Sequence, residues 1–96
     1  MKIMELDSFV NTAEDFLAGR IYASFFKEEI IFIEEEIENY RQDLEAHIEE
    51  DTRAGIEMIC DGLNCMMTYF TEAQNKEYIK TGLEQIKKGS IIVNGE

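Results

Sequence analysis

The sequence predicts an all-α fold, an antiparallel four-helix bundle with a short C-terminal tail. The chain of 96 residues contains no proline and only six glycines, whereas small strand-rich domains depend on such residues in their turns. Apolar residues recur every three or four positions along most of the chain, which is the period of an amphipathic helix. A chain of this length forms one domain (1–96), and four such helices with short connections can bury their apolar faces against one another.

The first helix is predicted over about 6–18. Its apolar stripe consists of Leu6, Phe9, Val10, Ala13, Phe16 and Leu17. Asp7 or Ser8 can cap its N-terminus. Gly19 is expected to end the helix in a left-handed backbone conformation, which glycine adopts without steric cost.

The second and third helices are predicted over about 22–49 and 52–74. The second stripe is Phe26, Ile30, Ile33, Ile37, Tyr40, Leu44 and Ile48, and the third is Ile56, Ile59, Leu63, Met66, Phe70 and Ala73. The two stripes are out of phase, because extending the second by heptads brings Asp51 into the core, where a charge is costly. A turn is therefore expected within 49–55, with Asp51 or Thr52 as the next N-cap.

The fourth helix is predicted over about 75–88. Its inward residues are Tyr78, Ile79, Leu83 and Ile86. Lys87 and Lys88 complement the helix dipole in the last turn, and Gly89 is expected to stop the helix. The apolar tail that follows either packs across the bundle or is unstructured.

The negative charge is concentrated in one part of the chain. Of the net charge of −12, nearly all comes from residues 28–61, where thirteen acidic residues face only Arg41 and Arg53. This charge disfavours direct binding to nucleic acid or to an anionic membrane, and it favours a basic protein partner. A glutamate-rich face that only keeps the protein soluble is the alternative, but a merely soluble helix would intersperse lysines as i, i+4 partners.

The sequence gives no pattern typical of an enzyme, a metal site or a cofactor site. Cys60 and Cys65 lie on an apolar helix without an adjacent base, and acidic neighbours such as Glu57 and Asp61 would raise a thiol pKa. His47, the only histidine, shares a face with Asp43 and could form at most a weak metal site together with Glu50 or Asp51. The absence of a signal peptide and of a membrane-spanning apolar run predicts a cytoplasmic protein.

The opening stretch "LDSFVNTAEDFLAGRIYASFFKEEI" resembles the N-terminal half of the colicin D immunity protein family, which includes immunity proteins of contact-dependent growth inhibition systems. The similar features are a first helix that ends in Phe16 and Leu17, a small-residue turn at Ala18 and Gly19, then Ile21, the small Ala23, and Phe26 at the start of the second helix. The resemblance implies a small, acidic, helical protein that binds a ribonuclease toxin and blocks its basic tRNA cleft. It also implies key carboxylates near the end of the third helix, for which Glu72 is the nearest counterpart, followed by Glu77.

The charge pattern and the resemblance together predict an immunity or antitoxin-like inhibitor of a basic, tRNase-type nuclease toxin. The expected contact residues are Glu49, Glu50, Asp51, Glu57 and Asp61 and, from the resemblance, Glu72. The alternative is a helical adaptor or dimerisation module with a solvated acidic face. In that case the stripe of the second helix would pair with a partner helix or with a second copy of the chain.

Overall fold

A computed structural model describes residues 5–44, 50–73 and 75–94. These residues form four α-helices and one π-helical turn, with no strand among them, so the predicted all-α bundle is confirmed. The helices are α1 (Glu5–Leu17), α2 (Ala23–Leu44), α3 (Glu50–Thr68) and α4 (Lys76–Asn94), and the π-helical turn (Tyr69–Ala73) follows α3. None of the helices in these ranges combines the length and the apolar character needed to cross a bilayer.

The helices are arranged so that α1 and α3 each pack between α2 and α4. Helices that follow one another in the chain run antiparallel. At one end of the α1–α2 pair the rings of Phe16 and Phe26 stack with centroids 4.7 Å apart. Toward the other end Phe9 and Ile33 line a common groove. The bundle is elongated, with extents of 39 × 24 × 19 Å.

The core is built from the stripes that the sequence indicates. In α2, Phe26, Ile30, Ile33 and Ile37 are buried and Tyr40 is partly buried. The corresponding residues of α3 are Ile56, Ile59, Leu63 and Met66, which are buried, and Phe70, which is partly buried. The side chains of Leu44 and Ala73, and the whole of Ile48, lie outside the described residues. Tyr78 was expected to point inward, but it is exposed, because Ile79, Leu83 and Ile86 already form the buried face of α4.

α1 ends at Leu17, and Gly19 follows it in the left-handed conformation that the sequence predicts. Its φ of +77° lies in the left-handed region that favours glycine. The amide N–H groups of Gly19 and Arg20 donate to the carbonyl oxygens of Phe16 and Asp15, which satisfies two carbonyls at the helix end. The predicted N-cap at Asp7 or Ser8 is wrong, because both residues lie within α1.

Two other expectations about turns are wrong. Residues 50–55 are helical rather than forming a turn, so Asp51 and Thr52 lie within α3 instead of capping it. Gly89 does not stop the last helix, because α4 continues to Asn94 and brings Val93 into the core. The residues expected to form a tail are therefore largely the last turns of α4.

Four glycines lie in a close contact between α3 and α4. Gly55 of α3 is next to Gly89 of α4, and Gly62 of α3 is next to Gly82 of α4. A Cβ atom built on Gly82 would lie 2.4 Å from the carbonyl oxygen of Gly62, and one built on Gly89 would lie 2.5 Å from that of Gly55. The two glycines of each helix are seven residues apart, about two turns, so they lie on one face. This face lets the two backbones approach more closely than side chains would permit, and it gives Gly89 a packing role within α4 in place of the predicted helix end.

Candidate functional site

Two glutamates of α2 line a groove between α2 and α3. The groove has a volume of about 150 Å³ and is lined by Glu34, Ile37, Glu38, Cys60, Leu63 and Asn64. We call it the acidic groove. It exists because α2 and α3 pack against each other, which brings the residues from Glu34 to Glu38 beside the second half of α3.

The acidic groove combines an apolar floor with carboxylates on its α2 side. Ile37 and Leu63 form the floor and are almost completely buried. Glu34 and Glu38 lie on the α2 side, and Asp61 on α3 is close enough to Cys60 to act on its thiol electrostatically. The only ion pair of an α2 carboxylate within the described residues joins Glu38 to Arg41 at 3.8 Å, and both side chains are exposed. Such a pair contributes little, so the groove remains strongly negative.

Partial burial raises the pKa of the Glu34 carboxyl above its ordinary value. The cause is desolvation, which disfavours the charged form of a carboxylate. The folded protein therefore binds a proton at Glu34 more readily than the unfolded chain does. The contribution of Glu34 to stability is present below its ordinary pKa and is lost as the pH rises through the raised pKa.

Replacing Glu34 with glutamine is expected to stabilise the fold at neutral pH by a few tenths of a kcal/mol, since it removes a partly desolvated charge whose effect is screened by solvent. The gain should disappear at acidic pH, where Glu34 is protonated. Urea unfolding of both proteins at neutral and at acidic pH measures this difference. Glu35→Gln removes the same charge from an exposed position of α2 and serves as the matched control.

Burial also raises the pKa of the Cys60 thiol. The carboxylates of Glu38, Asp61 and Glu34 raise this pKa further, while the charge of Arg41 lowers it. As the sequence predicts, Asp61 raises the pKa of the neighbouring thiol. Cys65 lies further along α3 and its Sγ donates to the carbonyl oxygen of Tyr78, 3.3 Å away. Both cysteines are free, and a raised pKa makes Cys60 a poor nucleophile.

The predicted contact residues do not form one patch. Glu50, Asp51, Glu57, Asp61 and Glu72 are all exposed, and Glu49 lies outside the described residues. Their spacing places Glu50, Glu57 and Asp61 on one face of α3. Asp51, one residue after Glu50, lies about 100° further around the helix axis. Glu72 lies in the π-helical turn, about 30 Å along the helix axis from Glu50 at 1.5 Å per residue.

Sequence reasoning did not single out Glu34 and Glu38 as site residues. They lie one turn apart and flank Ile37, which is the position that faces the neighbouring helix in an amphipathic pattern. That spacing alone could have marked them, but the identity of the helix beside them depends on the packing.

The structure provides no metal site within the residues it describes. No group of three or more histidine, cysteine, aspartate or glutamate side chains there has the arrangement to hold an ion. His47 and the side chain of Asp43, which the sequence suggested as weak ligands, lie outside the described residues. Comparisons of the chain with family models, with curated proteins and with solved structures find no significant match.

Proposed function

We propose that this protein is an inhibitor that binds the basic surface of another protein through the acidic groove. The observation that supports this proposal best is that Glu34 and Glu38 line the groove, while Asp61 follows the lining residue Cys60 in α3 and acts electrostatically on its thiol, as the cation Arg41 does in the opposite direction. The charge is polarised across the bundle, because α4 carries four lysines and does not form the groove.

A lysine or arginine side chain of the partner fits the chemistry of the acidic groove. Its aliphatic stem can lie on Ile37 and Leu63, while its cationic head replaces water around the carboxylates. A cavity of 150 Å³ accommodates a group about the size of benzene, so a groove of about 150 Å³ has room for one such side chain. Binding would relieve the repulsion among the carboxylates, and the long-range attraction would accelerate association.

The class of partner that we propose is a basic nuclease toxin of the tRNase type, which places the protein in the cytoplasm as an immunity or antitoxin-like inhibitor. This finer proposal draws on the resemblance of residues 6–30 to the colicin D immunity protein family. Carboxylates that occupy a cleft built for phosphates would block the substrate directly, because both present negative oxygen atoms to the same lysines and arginines.

A tagged pull-down from cells that express the neighbouring open reading frames tests the proposal. We expect a small basic protein that is toxic when expressed alone, that elutes as the salt concentration rises, and whose nuclease activity is inhibited by this chain. Retention of no basic protein at low salt would contradict the proposal. A partner released only by denaturant, with no dependence on salt, would also contradict an electrostatic interface.

The alternative of dimerisation through the α2 stripe is less well supported. Phe26, Ile30, Ile33 and Ile37 are buried in the core of the chain itself, so they are not available to a second copy unless the bundle opens. Light scattering at micromolar concentration distinguishes the two hypotheses, since a stable, salt-insensitive dimer would favour the adaptor.

A further inference from the structure

Two phenylalanines of α2 remain exposed on the side of the helix that faces away from the acidic groove. Phe25 and Phe32 are 48% and 50% exposed. They are seven residues apart, which places them on one face about 10 Å from each other. We call this pair the phenylalanine stripe. Large apolar side chains exposed together on one face of a helix are typical of an interaction surface.

Glutamates surround the phenylalanine stripe in a repeated pattern. The stretch "FFKEEIIFIEEE" (residues 25–36) places glutamates three and four positions after Phe25 and again after Phe32. These glutamates are Glu28, Glu29, Glu35 and Glu36. Side chains with these spacings are neighbours on a helix surface. No ion pair is recorded for these four carboxylates within the described chain.

The groove between α1 and α2 extends the surface beside Phe32. It has a volume of about 80 Å³ and is lined by Ser8, Phe9, Glu29, Phe32 and Ile33. Three of these five residues are apolar, and Glu29 supplies a carboxylate. The groove is about half the size of a cavity that holds benzene, so it suits the end of an aliphatic side chain.

We propose that the phenylalanine stripe binds an amphipathic helix of the partner protein that carries apolar side chains seven residues apart and lysines or arginines beside them. The apolar side chains would cover Phe25 and Phe32 and enter the groove beside Phe32. The cations would pair with the surrounding glutamates. Apolar anchors ringed by polar contacts are the usual arrangement of an energetic centre in a protein interface.

Charge complementarity selects this occupant over a second copy of the chain. A two-fold symmetric dimer brings the same surface of each copy together. Pairing of two phenylalanine stripes would therefore place four glutamates opposite four glutamates, and like charges brought together at an interface are strongly unfavourable. A basic helix removes the repulsion that a second copy would add.

This inference rests on the proposed function, because it names the apolar part of the interface with the same basic partner. The stripe and the acidic groove lie on the two flanks of α2, one next to α1 and the other next to α3. A helix with its side chains is about 10 Å across, so a partner that covers a surface of standard size can contact both flanks.

Binding of a synthetic helical peptide tests the inference. The probe carries leucines seven residues apart, with lysines three and four positions from each leucine. The control peptide has the same composition, with the leucines moved to different faces. We expect the probe to bind more tightly than the control peptide, and each of Phe25→Ala and Phe32→Ala to weaken its binding about tenfold. Ile91→Ala, which truncates an equally exposed residue of α4, should leave the affinity unchanged.

Circular dichroism establishes that each variant is folded. Phe25 does not line the groove beside Phe32, so Phe25→Ala still tests the inference if Phe32→Ala changes the shape of that groove. Equal affinity of the two peptides, or no effect of the phenylalanine variants, would overturn the inference. The proposed function would survive that outcome if Glu38→Lys with Asp61→Lys still weakened both peptides. Failure of both peptides to bind at low salt would instead contradict the proposed function together with the inference.

Discussion

Replacement of Gly82 with alanine is expected to lower the free energy of unfolding by about 2 kcal/mol or more, which is the cost of forcing extra atoms into a closely packed contact. The added Cβ would lie 2.4 Å from the carbonyl oxygen of Gly62 and 2.8 Å from Cγ of Met66. The side chain of Met66 can move, but the carbonyl belongs to the backbone of α3. The two helices must therefore separate, and the side chains along their contact lose packing.

The direction of this effect is diagnostic, because alanine at an unconstrained helical position is more stable than glycine by about 1 kcal/mol. Urea denaturation of Gly82→Ala and of Thr81→Ala, an exposed neighbour in the same helix, measures the difference under one set of conditions. The Thr81 variant should differ from the original protein by less than about 0.5 kcal/mol. A Gly82→Ala protein as stable as the original would show that α3 and α4 are not held at this distance.

The same glycines mark where sequence reasoning reached its limit. The apolar stripes and the turn at Gly19 were predictable, because each depends on residues close together in the sequence. Gly89 was misinterpreted as a helix end, because a glycine that ends a helix and a glycine that admits a neighbouring backbone are identical in a local pattern. The repeated spacing of seven residues, from Gly55 to Gly62 and from Gly82 to Gly89, was the signal that distinguishes the two, since helix ends do not recur at heptad intervals.

The charge pattern was predictable, but its organisation into a groove was not. The sequence located the acidic region within 28–61 and favoured the carboxylates around a supposed turn. In the structure Glu34 and Glu38 of α2 line the acidic groove, and Asp61 is the predicted contact residue that acts electrostatically on the Cys60 thiol in its lining. Glu34 and Glu38 are distant from Asp61 in the chain, and only the packing of α2 on α3 brings all three within electrostatic range of the Cys60 thiol.

Reversal of two charges of the acidic groove is expected to weaken binding of the basic partner by roughly 100-fold or more, because loss of a close charge pair costs 2–5 kcal/mol when the other charge remains at the interface. The variant is Glu38→Lys with Asp61→Lys. Both side chains are exposed, so the bundle should keep its helical content and cooperative unfolding. The new lysines would meet the lysines or arginines of the partner across the groove, which turns attraction into repulsion.

Asp7→Lys with Glu84→Lys provides the matched control, because it changes the net charge by the same amount at exposed positions of α1 and α4 that do not line the groove. We expect this control to weaken binding only slightly, mainly through a slower association that depends on salt. A single Glu72→Lys variant tests the position implied by the resemblance, which lies far from the groove along the helix axis. Equal loss of affinity in the groove variant and in the control would show that net charge, and not the acidic groove, determines binding. A large loss confined to Glu72→Lys would instead move the contact to the π-helical turn that follows α3.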